Sequence, residues 1–217
     1  MSVDPVTAPV KRRRPYDGSR RQEQARRARS ALLDAALTRF LDQGYTATTV
    51  ESIATAAGVS AATIYKTYGG KPGLVRALCE QALGGAGPVP AEQRSDALKQ
   101  SEPDPRAVIE GWGLLTAEVA PRVAPILLLL RDAADGDPVA AALHEEVDHN
   151  RLTRMAHNAS HLAKGGRLRL GVTRTDARDV LWLYSSPELF DLLVRRRGWS
   201  VRKYSRFVTD AMIAALL

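Results

Sequence analysis

Cysteine is almost missing from this chain: Cys79 stands alone among 217 residues. A lone thiol excludes an intrachain disulfide framework and fits a reducing compartment. No apolar run approaches the roughly 18 residues of a membrane span; residues 123–130, with the run ILLLL, read as a buried helix segment. The N-terminal charges are followed by no apolar stretch, so a signal peptide is not expected, and the protein is placed in the cytoplasm with no membrane partner. Internal repeats, convincing strand patterns, a Gly-rich phosphate loop and a nucleophile–base arrangement are all absent. His144 and His149 flank two glutamates, but the second histidine falls five residues on, off the ligand face of a helix. His157 and His161 are helix neighbours without a third ligand. No metal, no cofactor and no enzyme activity is therefore expected.

What is present begins with charge. The formal net charge is +7, and it is not spread evenly. Residues 1–30 hold nine Lys/Arg against three Asp/Glu, residues 31–80 four against four, and residues 81–217 eighteen against seventeen. The surplus sits in a basic arm, Lys11, Arg12, Arg13 and Arg14 foremost, continuing through Arg20, Arg21, Arg26, Arg27 and Arg29. Such an arm is the electrostatic footprint of a duplex binder; a solvated tail is the plainer reading.

The segment TATTVESIATAAGVSAATIYKTYGGKPGLVRAL follows at residues 46–78. Thr48 is expected to cap a helix with Glu51 completing a capping box. Val50, Ile53, Ala54 and Ala57 form its apolar face. Gly58 supplies the positive φ that ends it, Val59 fills the turn, and Ser60 caps a second short helix to about Thr67. Two short helices joined this way form a helix-turn-helix, whose second helix enters the major groove. Ser60, Ala61, Ala62, Thr63, Tyr65 and Lys66 are expected to contact DNA, Ala61 onward facing the groove. Ile64 turns inward onto Ile53, and Tyr68 packs beneath. Thr49 and Lys71, at the starts of two helices, are expected to hold phosphates.

With the long helix ending FLDQGY before it and IYKTYGGK after it, the region from about residue 25 to 80 resembles the DNA-binding domain of the TetR (tetracycline-repressor-like) transcriptional regulators. Two positions depart from the family pattern. Gly70 stands where Ser, Asp or Asn usually precedes the lysine, and Lys66 stands where an aromatic often follows the tyrosine. The resemblance implies a homodimer, a roughly palindromic operator and a small-molecule effector that releases the DNA.

Beyond residue 80 the chain reads as helices throughout, so the fold is all-α: an N-terminal helix-turn-helix three-helix domain followed by a larger helical ligand-binding and dimerisation domain. The expected division is 1–22 for the flexible arm, 23–83 for the DNA-binding domain and 84–217 for the effector and dimer domain. GGAGPVPAEQ reads as a linker. Helices are expected from Pro103 and Pro105 to about Val119, from Pro121 to Arg131, from Pro138 to Lys164, from Ala177 to Ser185, from Ser186 to Gly198 and from Ser200 onward. Trp112, Met155, Asn158, Trp182 and Tyr184 are candidates to line a pocket for an apolar or aromatic effector, against the plainer reading of core residues. Trp182, Leu189, Phe190 and Leu193 are candidates for a dimer interface. Two other readings stay open: a DNA-binding regulator without an effector, and an all-helical enzyme or scaffold whose helix-turn-helix is only structural.

Overall fold

The structure is a computed structural model that describes residues 18–85 and 87–217. Among them all regular structure is helical: α1 (Gly18–Gln43), α2 (Val50–Ala57), α3 (Ala61–Tyr68), α4 (Lys71–Gly84), α5 (Ala91–Ser101), α6 (Pro105–Ala134), α7 (Pro138–Lys164), α8 (Arg174–Tyr184), α9 (Pro187–Phe190) and α10 (Val201–Leu216), with a π-helical turn over Asp191–Arg196 after α9. Residues 18–22 of the expected arm already belong to α1; its first seventeen residues lie outside the described residues.

Two apolar cores organise these helices. The lower core joins Leu33, Ala36 and Phe40 of α1 to Ile53 of α2, Ile64 of α3 and Leu74, Val75 and Leu78 of α4. It also takes in Ile126, Leu127 and Leu130 from the end of α6 and Leu143 of α7. The upper core is built from Val108, Ile109 and Trp112 of α6, Leu162 of α7, Leu181 of α8, Phe190 of α9 and Tyr204, Val208 and Met212 of α10. α6 therefore runs through both. It is one helix of 30 residues with Pro121 and Pro125 inside it, where two helices broken at the prolines were expected. A proline removes one helical hydrogen bond and crowds the carbonyl four residues back. Burial on both sides of the pair outweighs that cost. By length and composition α6 could cross a membrane, but half of its most apolar stretch is buried inside this fold.

α5 falls partly in the segment read as a linker. Its apolar stripe is thin, with Ala91 and Ser95 as its only buried residues and Leu98 packed on the upper core. Polar contacts hold it instead: Arg154 of α7 donates to Glu92 O at 2.9 Å and to Asp96 Oδ1 at 2.8 Å, and Arg94 forks onto Glu118 of α6 at 2.6 and 2.9 Å. Ser186 caps α9 and Ser200 caps α10 as expected, by accepting from Leu189 N and Lys203 N. The π-helical turn between them was not foreseen; Arg197 N reaches back to Leu192 O and Trp199 N to Leu193 O.

Candidate nucleic-acid interface

Four short-range devices fix the recognition helix. The first corrects the expected cap. Thr49, not Thr48, is the N-cap of α2, with its side chain accepting from Ser52 N at 3.1 Å. Thr48 is buried, and its hydroxyl donates to Arg39 O and Gly44 O at the end of α1. Two adjacent threonines offer the same chemistry, and burial beneath α1 decides which one turns inward. No capping box forms with Glu51, because the residue three after the true cap is Ser52.

The second device is the turn. Gly58 sits at φ 67° and closes α2, with Val59 N donating to Ala54 O. Third, Ser60 caps α3 by accepting from Thr63 N at 3.1 Å, and its hydroxyl lies 2.8 Å from Thr63 Oγ1. Ile64 is fully buried in the same core as Ile53. The fourth is the exit. Gly69 and Gly70 have φ of 73° and 105°, and Gly73 lies so close to the end of α3 that a Cβ would overlap the Tyr68 carbonyl. Gly70 departs from the family pattern for a conformational reason: its φ favours glycine, and a Cβ there would lie 3.4 Å from the Tyr65 ring.

This scaffold leaves Ala62, Thr63, Tyr65, Lys66 and Thr67 exposed on α3. Tyr65 is 52% exposed, so it is not a core anchor. Thr67, beyond the expected set, is exposed on the same helix. Ala61 is half-buried against the lower core and turns away from that face. Ser60 and Thr49 are exposed but already hold cap bonds. Lys71 is half-buried: its ammonium donates to Tyr45 O at 2.8 Å and Thr46 O at 3.3 Å and lies 4.4 Å above the Tyr45 ring. It ties the start of α4 to the loop before α2. On α1, Arg26 and Arg27 share Glu23, and Arg29 reaches Glu80 at 3.3 Å. Exposed pairs of this kind hold the charges loosely and leave them available to an outside anion.

Cys79 is buried, and burial pushes its thiol up to about 12. The buried, neutral thiol is a poor nucleophile.

In the helical half, Trp112 and Asn158 are buried at 4% exposure each, and Met155 and Tyr184 are half-buried against the upper core. Trp112 Nε1, Asn158 Oδ1 and, on α5, Ser95 Oγ are buried without a protein partner. Trp182 is separate from them. It lines a cleft of about 180 Å3 with Leu127, His144, Asp148, Arg151, Pro187 and Glu188. A second, more polar cleft of about 210 Å3 runs between α7 and α8 along His157, Ser160, Arg174 and Arg178. His144, Asp148 and Arg151 recur at helical spacing on α7, a polar stripe visible in the sequence but outside the expected pocket residues. Of the interface candidates, Phe190 is buried in the protomer's own core, edge-on to Tyr204 with ring centroids 5.3 Å apart. Leu189 and Leu193 pack partly on that core. On the last helices the exposed apolar side chains are Leu183, Leu192, Val201 and Phe207, beside an edge-to-face aromatic row of Tyr184, Phe207 and Trp199. Among the described residues no group of three or more potential ligands could hold a metal ion.

Comparison with known proteins agrees with the geometry. Residues 32–78 match the family described as bacterial regulatory proteins, tetR family. An uncharacterized HTH-type transcriptional regulator of Bacillus subtilis (strain 168), YvkB, is 40% identical over 68 residues, which make up 31% of this chain and 36% of that protein. The chain thus matches only about a third of that relative's length. Among solved structures, NalD of Pseudomonas aeruginosa, the secondary repressor of the MexAB-OprM multidrug efflux pump, superposes with a TM-score of 0.70 at 21% identity, covering 89% of this chain and 98% of that one. The regulator FadR of Bacillus subtilis, in complex with stearoyl-CoA, gives a TM-score of 0.65 at 16% identity, covering 87% and 99%.

Proposed function

We propose that the chain, whose residues 32–78 match the tetR family of bacterial regulatory proteins, is a cytoplasmic repressor of that family acting as a homodimer on a roughly palindromic operator. A small, mostly apolar or aromatic molecule bound in the helical half releases it. The observation behind the DNA reading is the outer face of α3, where Thr63, Tyr65 and Lys66 stand exposed on a helix pinned by buried Ile64. Thr63 offers a hydroxyl and a methyl to base edges, Lys66 a point charge, and Ala62 a close approach. Lys71 positions the helix, and the arginines of α1 add sequence-independent attraction to phosphate. The residue range 84–217 serves effector binding and dimerisation, with Leu183, Phe207 and the aromatic row beside them as the pairing surface. Two recognition helices related by a twofold axis read half-sites about 34–36 Å apart. Release needs an effector that prefers the conformation unable to bind DNA.

The test is selection of bound fragments from the source genome, followed by titration of the selected duplex. Lys66→Ala is expected to cost about 1–3 kcal/mol on the selected operator and to relax preference at one base pair. Duplex binding that is absent, or that does not weaken with salt, returns the chain to the scaffold reading. A monomer in sedimentation that binds a half-site with full affinity removes the dimer.

A further inference from the structure

The cleft at Trp182 differs from the rest of the helical half in what its polar atoms lack. Arg151 is held in place by donating from one terminal nitrogen to Trp182 O at 2.5 Å and to Ser185 Oγ at 3.4 Å, and from the other to Asp148 Oδ1 at 2.8 Å. Its guanidinium lies over the Trp182 ring, 4.5 Å from the centroid. In this stacked pair two N–H donors remain: Arg151 Nε and Trp182 Nε1 are both buried, and neither finds an acceptor from the protein. Both donors belong to residues that line the cleft, and an oxygen acceptor that reached them would satisfy two desolvated groups at once.

The charges beside the cleft narrow the ligand class. Asp148 is paired with Arg151, and Glu188 lies 3.4 Å from Arg131. An anionic ligand would meet both carboxylates, and the two arginines beside the cleft are already paired with them. A cationic ligand would want the Trp182 face, which Arg151 already covers. Leu127, Pro187 and the indole supply apolar wall. We propose that this cleft binds a small neutral aromatic molecule through a carbonyl-type oxygen that accepts from Arg151 Nε–H and Trp182 Nε1–H together. The inference rests on the ligand-release reading above only for what such binding does at the operator. Leu127, at the floor of the cleft, is also part of the core shared with the recognition helix.

The test uses the full chain labelled with 15N and three isosteric probes: neutral acetophenone, anionic benzoate and cationic benzamidinium. The Trp182 indole N–H signal is identified by its loss in Trp182→Phe. Acetophenone at millimolar concentration is expected to move that signal saturably and leave those of Trp112 and Trp199 in place. Benzoate and benzamidinium are expected to bind about tenfold more weakly. Trp182→Phe, which keeps an aromatic wall, is expected to weaken acetophenone about tenfold as seen by calorimetry, and Arg151→Lys to do the same. Should Arg151→Lys loosen the fold, Trp182→Phe alone decides. An unmoved Trp182 signal, or a charged probe binding as well as acetophenone, overturns the assignment. A parallel operator titration separates the two readings. A moved signal with unchanged operator affinity keeps the cleft and removes ligand release; an unmoved signal with weakened operator affinity places the effector elsewhere and removes the cleft.

Discussion

In the DNA-binding half, Tyr45 Oη is the one buried side-chain polar atom among the described residues without a protein partner, whereas the helical half holds five: Ser95 Oγ, Trp112 Nε1, Arg151 Nε, Asn158 Oδ1 and Trp182 Nε1. The contrast matches the roles proposed for the two halves. A reading head has to present one geometry, so its turns are closed by backbone bonds, hydroxyl caps and glycines that permit close approach. A receptive half gains by leaving donors and acceptors unanswered, because a ligand that answers them binds selectively. Unsatisfied groups cost stability, and under the proposed effector release that cost would lie in the half that responds.

The largest test of the comparison falls on Gly73. Gly73→Ala forces a methyl into the Tyr68 carbonyl, and a loss of about 3 kcal/mol is expected. For a chain of this size that is a melting temperature roughly 6–12 °C lower. A variant that melts like the parent would mean that α4 can slide on α3 and that the reading head is not rigid. Next comes Gly70→Asp, which supplies the family's usual polar residue at a φ of 105°. A cap contributes about 1 kcal/mol, but the strain costs about 1–3, so denaturant titration should find the variant less stable. Gly70→Ala, with the strain and no cap, should fall further.

A matched pair bears on the contrast itself. Thr48→Val removes a buried hydroxyl that answers two carbonyls, and about 1–2 kcal/mol should be lost. Asn158→Leu replaces a residue whose carbonyl oxygen has no partner, and its stability should stay within about 1 kcal/mol of the parent or rise. Equal losses would erase the distinction between the halves.

The smallest effect is a pH dependence in α5. Hydrogen bonds from Arg154 and Lys99 hold the Asp96 carboxyl down, from an ordinary 3.8 to about 2. The folded value lies below the unfolded one, so the contribution is complete above about pH 4 and is lost as pH falls towards 2. Its size is limited, because the Asp96 side chain is 41% exposed. Melting of the parent and of Asp96→Asn should differ slightly at neutral pH and converge near pH 2. A gap that persists there would show that the carboxylate charge is not what holds α5.

The DNA-binding half was legible in the sequence because its devices are local. Gly58, Ser60 and Ile64 act within one turn of where they stand, and Gly70 announced itself as a departure before its φ was known. The Thr48 and Thr49 exchange was not legible, since only the end of α1 distinguishes two neighbouring hydroxyls. α5 was missed because bonds from Arg94 and Arg154 to other helices replace the apolar stripe that marks a helix. The prolines of α6 read as breaks because their local cost is plain and the two cores that outweigh it are assembled from distant residues. Phe190 looked available for a partner until Tyr204, fourteen positions on, covered it. The cleft at Trp182 draws on four helices, and no window of sequence contains it.

Pro121 and Pro125 stand one turn apart, so the bonds they delete fall on the same flank of α6. The carbonyls of Ala117 and Pro121 have no amide to meet in the next turn. Mechanically, α6 is a beam notched twice on one side, with Trp112, Ala117 and Ala120 anchored above the notches and Ile126, Leu127 and Leu130 below. Flexural stiffness is lowest where the ladder is interrupted, so a sideways load on the upper end is relieved there as a change of angle. The end of α6 below the notches shares its core with α4 and with Ile64 of the recognition helix, so a change of angle there would bear on the reading head first.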